Sequence, residues 1–180
     1  MIFTETPLAG AYLIELERRG DDRGFFARAF CAHEFANQGL VSDFVQANMS
    51  LSRDPGTLRG MHFQRAPAQE TKLVRCVAGA LYDVIVDNRS DSPTYLQSYG
   101  AELTAENGLA LYVPKGFAHG FQTLASDTMA SYMVDEYYTP ESEGGYRHDD
   151  PELGIYWPRE VTVISNKDAN WPLIGEGRTA

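Results

Sequence analysis

The sequence predicts a mainly β protein, an antiparallel jelly-roll barrel with a few short helices. Its strand-like segments are short and numerous. Turn sequences interrupt them at short intervals, for example at Asp54-Pro55-Gly56, Ser92-Pro93-Thr94 and Glu106-Asn107-Gly108. One segment, residues 32–39, has the pattern of a short helix ending at a glycine. Many short strands with this spacing are typical of an antiparallel sandwich or barrel.

The strands are expected from the local patterns that follow the helix. Residues 73–77 and 81–86 are expected to form two strands joined by a tight turn at Gly79. Apolar side chains alternate across residues 109–113, just before the turn Pro114-Lys115-Gly116. Residues 128–138 are rich in Tyr, Met and Val, and turn residues again bound them. These segments predict the central strands of the barrel.

The chain of 180 residues is expected to be a single domain spanning 1–180, with an irregular C-terminal tail from about residue 139. Frequent Pro and Gly in that tail disfavour regular structure there. No apolar run approaches the ~20 residues that cross a bilayer, so no membrane association is expected. The start of the chain lacks a basic, apolar leader, and we therefore expect a cytoplasmic protein. Its two cysteines, Cys31 and Cys76, are too few for a disulfide framework and are expected to be reduced.

The net charge is -10, from 15 Lys+Arg against 25 Asp+Glu. This balance argues against nucleic acid as a partner, because such binding depends on basic surface. A small anionic ligand stays possible, since a few cations can converge in one pocket.

Two motif-dense regions are candidates for the functional site. The later one, from Gly108 to His119, fits the second cupin motif, although Thr123 stands where that motif ends in Asn. The earlier cupin motif needs His-x-His for metal, and here Gln64 takes the place of the second His. The sequence therefore resembles a cupin barrel that has lost its usual metal site. A metal held by His62 and His119 remains the alternative, although metal sites usually gather three or four ligands.

A series of further motifs, in order from about residue 20 to 172, makes the resemblance specific. The chain carries Asp22-Arg23-Gly24-Phe25-Phe26, Gln46-Ala47-Asn48, Leu58-Arg59-Gly60-Met61-His62-Phe63-Gln64, Lys72-Leu73-Val74, Asp83-Val84-Ile85-Val86-Asp87, Gly116-Phe117-Ala118-His119-Gly120-Phe121 and Asp150-Pro151-Glu152-Leu153-Gly154-Ile155-Tyr156-Trp157-Pro158. Together they resemble the dTDP-4-dehydrorhamnose 3,5-epimerase family of deoxysugar epimerases. The resemblance implies a homodimer that acts on a nucleotide-sugar substrate without metal or organic cofactor.

The resemblance also implies a role for each matching residue. His62 is similar to the catalytic base and Asp168 to its carboxylate partner. Tyr132 is similar to the acid on the opposite face of the sugar, and Lys72 to the cation near the ketone oxygen. The residues implied in substrate binding, some of them contributed by a second subunit, are Arg23, Gln46, Asn48, Arg59, His119 and Tyr138.

These residue types suit the chemistry on independent grounds. Removing a hydrogen from the carbon next to a ketone leaves an enolate, and imidazole titrates near neutrality, so His62 can accept that proton. A paired carboxylate orients the ring, and Lys72 can stabilise the enolate oxygen. Inversion needs a proton donor across the ring, and the phenol of Tyr132 can provide it. Tyr132 and Tyr138 have the same parity, so a regular strand would direct both to one face.

The chain also departs from the family pattern. Arg28 stands where relatives commonly carry Glu, and Met49 and Leu51 stand where they commonly carry His and Arg. These differences leave open the nucleobase and whether C3, C5 or both are inverted. The alternatives are a single-centre 3- or 5-epimerase on a different nucleotide sugar, a metal-dependent cupin oxygenase and a noncatalytic nucleotide-sugar binder.

Overall fold

The structure is a computed structural model that describes residues 1–175. Fourteen strands and two α-helices form within this range, which confirms the prediction of a mainly β protein. The strands are β1 (Ile2–Glu5), β2 (Tyr12–Glu15), β3 (Arg19–Asp21), β4 (Gly24–Phe26), β5 (Gln46–Ser52), β6 (Thr57–Gln64), β7 (Lys72–Ala78), β8 (Ala80–Asp87), β9 (Ser98–Thr104), β10 (Ala110–Val113), β11 (Phe117–Thr123), β12 (Thr128–Val134), β13 (Glu143–Gly145) and β14 (Val163–Ile164). The helices are α1 (Ala32–Asn37), α2 (Asn166–Ala169) and a 3₁₀ turn at Pro140–Ser142.

Two six-stranded sheets make up the framework. The first has the strand order β1-β2-β10-β7-β12-β5. The second has the order β13-β6-β11-β8-β9, with β14 added in parallel beside β6. The other pairings are antiparallel, as the sequence predicts. A separate hairpin of β3 and β4 lies outside both sheets.

The main core lies between the two sheets. Val74 and Leu111 from the first sheet pack with Ile85, Leu103 and Phe121 from the second, and all five are buried. Because successive strand residues point to opposite faces, the inner face of each sheet supplies this apolar layer.

The outer face of the first sheet is also covered. Phe35 on α1 is fully buried and packs with Phe30, Phe44 and Tyr112 in a cluster of tilted and edge-to-face rings. Helix α1 ends two residues before Gly39, close to the expected boundary. Every residue of β10 is therefore buried, because both faces of the strand are covered.

The tight turn at Gly79 joins strands in different sheets. Both predicted strands form, but β7 belongs to the first sheet and β8 to the second. Gly79 has φ of +71°, and a Cβ there would lie 2.5 Å from Thr128 Oγ1. Glycine is needed because the chain must reverse while passing close to the start of β12. This crossing carries the chain from one wall of the site to the other.

The segment after residue 139, expected to be an irregular tail, runs along the second sheet. It adds β13 and β14 to that sheet and places α2 against β6. Leu153, Ile155 and Trp157 pack against Val84 and Val86 on the outer face of that sheet. The tail thereby brings Asp168, on α2, next to β6. In the range 1–175 the longest α-helix has six residues, and none could cross a membrane.

Candidate active site

Two cavities are lined by strands of both sheets and share three lining residues, His62, Lys72 and Tyr132. The first cavity has a volume of about 510 Å³ and the second about 360 Å³. We call the region lined by the three shared residues the junction. The predicted base, cation and acid thus meet at one place, although 70 residues of chain separate the first from the last.

His62 lies on β6 and is held by a carboxylate that the tail brings back. Its Nε2 is 2.7 Å from Asp168 Oδ1. Asp168 is fixed by the backbone as well, because Gly60 N donates to its Oδ2 and its own N donates to Ser165 Oγ, the N-cap of α2. With Nε2 engaged, Nδ1 is the ring nitrogen available to take a proton.

Burial raises the pKa of Asp168, but the hydrogen bond and charge of His62 and the donors Gly60 N and Ser165 together lower it below its ordinary value. Asp168 is only 6% exposed, whereas His62 is 36% exposed. The buried carboxylate therefore stays ionised at neutral pH and orients a ring that still reaches solvent.

Tyr132 projects into the junction from the opposite wall. It lies at the centre of β12, paired with Asn48 on β5 and Val74 on β7. Burial raises the pKa of its phenol above the ordinary value, the charge of Glu70 raises it further, and the charge of Arg59 opposes both. Tyr132 therefore remains a protonated donor at neutral pH. It lies in the first sheet and faces His62 in the second.

Lys72 begins β7 and is held in the junction by a carboxylate that sequence reasoning missed. Its Nζ is 3.0 Å from Glu70 Oε1, and the two side chains are 12% and 14% exposed. The sequence contained a signal for Glu70. It stands two residues before Lys72 at the start of a strand, and residues two apart in a strand point to the same face.

The first cavity continues from the junction into a region rich in cations. Arg59 donates to Ser52 Oγ and to the carbonyl of Leu51, so its guanidinium is held along the wall. His119 is buried, and its Nε2 lies 2.8 Å from Asp83 Oδ1. Lys167, adjacent to Asp168, also lines this cavity. Asp83 and Lys167 were not among the predicted site residues. The signal that could have found Asp83 is its position inside the apolar segment 81–86, because a carboxylate buried there needs a partner.

The second cavity has a polar and aromatic lining. Gln46 and Asn48 reach it from β5, where alternate residues point inward. Tyr138 lines it too, with its N donating to Gln46 Oε1 and its hydroxyl to Glu143 Oε2. Strand β12 ends at Val134, so the shared parity of the two tyrosines does not extend to Tyr138. Both nevertheless line this cavity.

His62 and His119, the two residues of the metal alternative, are cross-strand neighbours on β6 and β11. Each directs its Nε2 to its own carboxylate. No group of three or more His, Cys, Asp or Glu side chains that could hold a metal ion forms within residues 1–175.

Known proteins resemble this chain in sequence over nearly its whole length. The sequence model of the dTDP-4-dehydrorhamnose 3,5-epimerase family matches residues 5–176. A dTDP-4-dehydrorhamnose 3,5-epimerase from Sinorhizobium fredii is 46% identical over 177 residues, covering 98% of this chain and 91% of that protein. The chain belongs to the dTDP-4-dehydrorhamnose 3,5-epimerase family.

Solved structures of this epimerase family share the fold as well. The enzyme from Bacillus anthracis, with TDP and pyrophosphate bound, has a TM-score of 0.93 and 46% identity, covering 96% of this chain and 99% of that one. A 3′-monoepimerase from Streptomyces bikiniensis in complex with dTDP-quinovose has a TM-score of 0.88 and 31% identity, covering 94% and 86%. These similarities confirm the jelly-roll fold and the interpretation of the chain as a sugar epimerase of this family.

One residue implied by the family resemblance lies away from the cavities of its own chain. Arg23 sits in the turn between β3 and β4, is 89% exposed, and pairs with Asp21 at 2.6 Å. The lining residues of the two cavities, all within residues 1–175, do not include it. The departing residue Arg28 pairs with Glu34 of α1 at 3.3 Å and lines a different, small cavity near the N-terminus.

Proposed function

We propose that the protein epimerises a dTDP-linked 4-keto-6-deoxyhexose, inverting C3 and C5, in deoxysugar biosynthesis of the rhamnose type. One observation carries the proposal: His62 and Tyr132 project from opposing sheets into the same junction, with Lys72 beside them. A base and an acid on opposite walls can act on opposite faces of one sugar ring. The family membership and the dTDP bound in relatives support the substrate class.

The proposed reaction moves one proton out and another in at each carbon. His62 accepts the proton from the carbon next to the ketone, and the C–H electron pair becomes the enolate double bond while charge moves to oxygen. The Lys72 ammonium stabilises that oxygen. Tyr132 then donates its phenolic proton to the opposite face of the carbon, and exchange with solvent restores the imidazole and the phenol. Asp168 holds the His62 ring and stabilises its charged form.

The nucleoside diphosphate is proposed to lie along the cation-rich first cavity. Arg59 and Lys167 can pair with phosphate oxygens there, while the protein as a whole carries a net charge of -10. Tyr138 would flank the ligand from the second cavity. Arg28, which departs from the family pattern, is paired with Glu34 outside both cavities of its own chain.

We propose that the active form is a cytoplasmic homodimer. Strand β5 is an edge of the first sheet, and Met49 and Leu51 on its outer face are exposed, as are Phe25 and Phe26 on the β3–β4 hairpin. Exposed apolar groups on an edge strand favour burial against a second copy. In this arrangement Arg23 would reach the partner's cavity. The two free thiols, Cys31 and Cys76, are consistent with a reducing compartment.

The test is mass spectrometry of dTDP-4-keto-6-deoxyglucose after incubation with the protein in heavy water. Uptake of two deuterons, abolished in His62→Ala, is expected for the double epimerase. A known double epimerase run in parallel confirms that the substrate is competent. No uptake by the wild-type protein would contradict the proposal.

A single-centre 3-epimerase is the second candidate, favoured by the similarity to the 3′-monoepimerase from Streptomyces bikiniensis. It predicts one deuteron, located at C3 by proton NMR. The same incubation therefore separates the two candidates.

A further inference from the structure

A half-buried carboxylate beside the junction has no role in the reaction described above. Glu70 lies two residues before β7 and lines the second cavity together with Lys72 and Tyr132. Its two oxygens have different partners: Oε1 is 3.0 Å from Lys72 Nζ, and Oε2 accepts from Gln64 Nε2 at 3.4 Å. We propose that Glu70 is a positioning residue, which fixes the Lys72 ammonium in the junction and places a negative charge beside Tyr132. This inference rests on the proposed function, since it assigns Lys72 and Tyr132 their roles.

The support for Glu70 comes from the buried side chain of Gln64. Gln64 Nε2 also donates to the carbonyls of Ala68 and Tyr137, and its Oε1 accepts from Thr139 N at 2.7 Å. Gln64 is 5% exposed and is thus anchored to backbone on both sides of the second cavity. The amide has two N–H donors, so the longer contact to Glu70 Oε2, at 3.4 Å, shares one of them with a backbone carbonyl. Contacts therefore run from the backbone through Gln64 and Glu70 to Lys72. They restrict the Lys72 side chain, whose four-carbon stem is otherwise flexible.

Fixing Lys72 matters because electrostatic stabilisation depends on preorganisation. An ammonium that already points at the developing oxyanion needs no reorientation during the reaction. Lys72 has three donors, so one bond to Glu70 leaves two for the ligand. Glu70 therefore orients the Lys72 ammonium and leaves two of its N–H donors for the ligand.

Glu70 also affects the proton donor. The negative charge of Glu70 adds to burial in raising the pKa of Tyr132, while Arg59 opposes it. A phenol donates only while protonated, so a higher pKa extends activity to higher pH. The other ionisable or charged groups that line the two cavities with Tyr132 are Arg59, His62, Lys72, His119, Tyr138, Glu143, Lys167 and Asp168.

Two substitutions separate positioning from charge. Glu70→Gln keeps the length of the side chain and removes its charge. We expect kcat for deuterium uptake to fall about tenfold with KM nearly unchanged, because the oxyanion partner is present but less well fixed. The high-pH limb of the kcat profile should move to lower pH. Glu70→Asp keeps the charge but shortens the reach to Lys72, so kcat should fall while the limb stays near its wild-type position.

The matched control is Glu141→Gln, which removes one exposed negative charge from the 3₁₀ turn outside both cavities. It should change neither kcat nor the limb. A Glu70→Gln enzyme with wild-type kcat and limb would overturn the proposal, as would an equal shift in the control. Melting temperatures of each variant identify any loss of folding, and in that event Glu70→Asp decides the positioning role.

A measurement without substrate separates failure of this inference from failure of the proposed function. The ultraviolet titration of the protein minus that of Tyr132→Phe isolates the Tyr132 phenol, and the same difference is taken in the Glu70→Gln background. The Tyr132 transition should occur at lower pH without Glu70. An unmoved transition would overturn the charge effect of Glu70 whatever the activity. A moved transition in a protein that takes up no deuterium would instead contradict only the proposed function.

Discussion

His62 Nε2 lies 2.7 Å from Asp168 Oδ1, although the two residues are 106 positions apart in the chain. The contact joins β6, in the second sheet, to α2, which the tail carries back across that sheet. Asp168 is itself held by Gly60 N, a near neighbour of His62. The carboxylate therefore couples the return of the tail to the orientation of the imidazole.

Replacing Asp168 with Asn should separate orientation from charge in the His62 pair. Asparagine retains the size of the side chain but cannot stabilise an imidazolium, so kcat should fall by about 10² or more, with a small change in KM. Initial rates of deuterium uptake measure the effect. Asp149→Asn, which removes an exposed partner of Arg147, is the control and should retain wild-type rates. Equal rates in wild type and Asp168→Asn would show that the pair has no catalytic role.

Replacing Tyr132 with Phe should uncouple proton removal from inversion. His62 can still form the enolate and return a proton to the same face, so deuterium exchange should continue. Epimerised product should decrease by about 10² or more, because the donor on the opposite wall is gone. Mass spectrometry follows the exchange, and proton NMR coupling constants follow the configuration. Normal inversion by Tyr132→Phe would contradict the assignment, whereas His62→Ala should lose both readouts.

Gly60 should tolerate no side chain, because β6 and β11 approach closely beside the junction. It has φ of +129°, and a Cβ there would lie 2.5 Å from Gly120 Cα. Gly60→Ala should destabilise the fold by about 3 kcal/mol or more, from backbone strain plus overpacking. Urea denaturation measures the free energy of unfolding.

Gly39→Ala is the matched control for that experiment. Gly39 has φ of +72° but no atom within 4 Å of an added Cβ, so it should lose only about 1–2 kcal/mol from backbone strain. Equal losses in the two variants would show that the close approach of the strands is unimportant.

Asp87 should make stability depend on pH below about 4. Burial alone would raise the pKa of Asp87. Hydrogen bonds from Arg89, Ser92 and Thr94 outweigh that effect and bring the pKa well below its ordinary value of 3.8. A carboxyl with a depressed folded pKa stabilises fully above its unfolded pKa, and this contribution is lost as pH falls toward the folded value. Asp87→Asn should therefore cost about 2–3 kcal/mol at pH 7.

The cost of Asp87→Asn should be smaller at pH 3, where the wild-type protein has begun to lose the same contribution. Urea denaturation of both proteins at the two pH values gives the comparison. Asp43→Asn, which removes an exposed carboxylate, serves as the control and should have little effect at either pH. A cost for Asp87→Asn that is independent of pH would contradict the charge-based explanation.

Local pattern was sufficient for much of the fold. The helix near Gly39, the strands on each side of Gly79 and the antiparallel class all follow from short-range signals such as turn residues and apolar periodicity. What these signals could not supply is which strands pair. The turn at Gly79 looks the same in sequence whether it closes a hairpin or crosses between sheets, because the choice depends on packing against distant strands.

The motifs along the chain were enough to identify the family, and with it His62, Tyr132, Lys72 and Asp168 as candidates, because chemistry constrains residue type and motif order. Three further facts come from the packing of the sheets. His62 and Tyr132 face each other from opposite sheets, and Arg23 lies outside the cavities of its own chain. Half-buried Glu70 holds Lys72, and buried Asp83 holds His119. The physical reason is that a charge taken out of water must find a partner in space, and neighbours in space are set by the packing of the sheets rather than by separation along the chain.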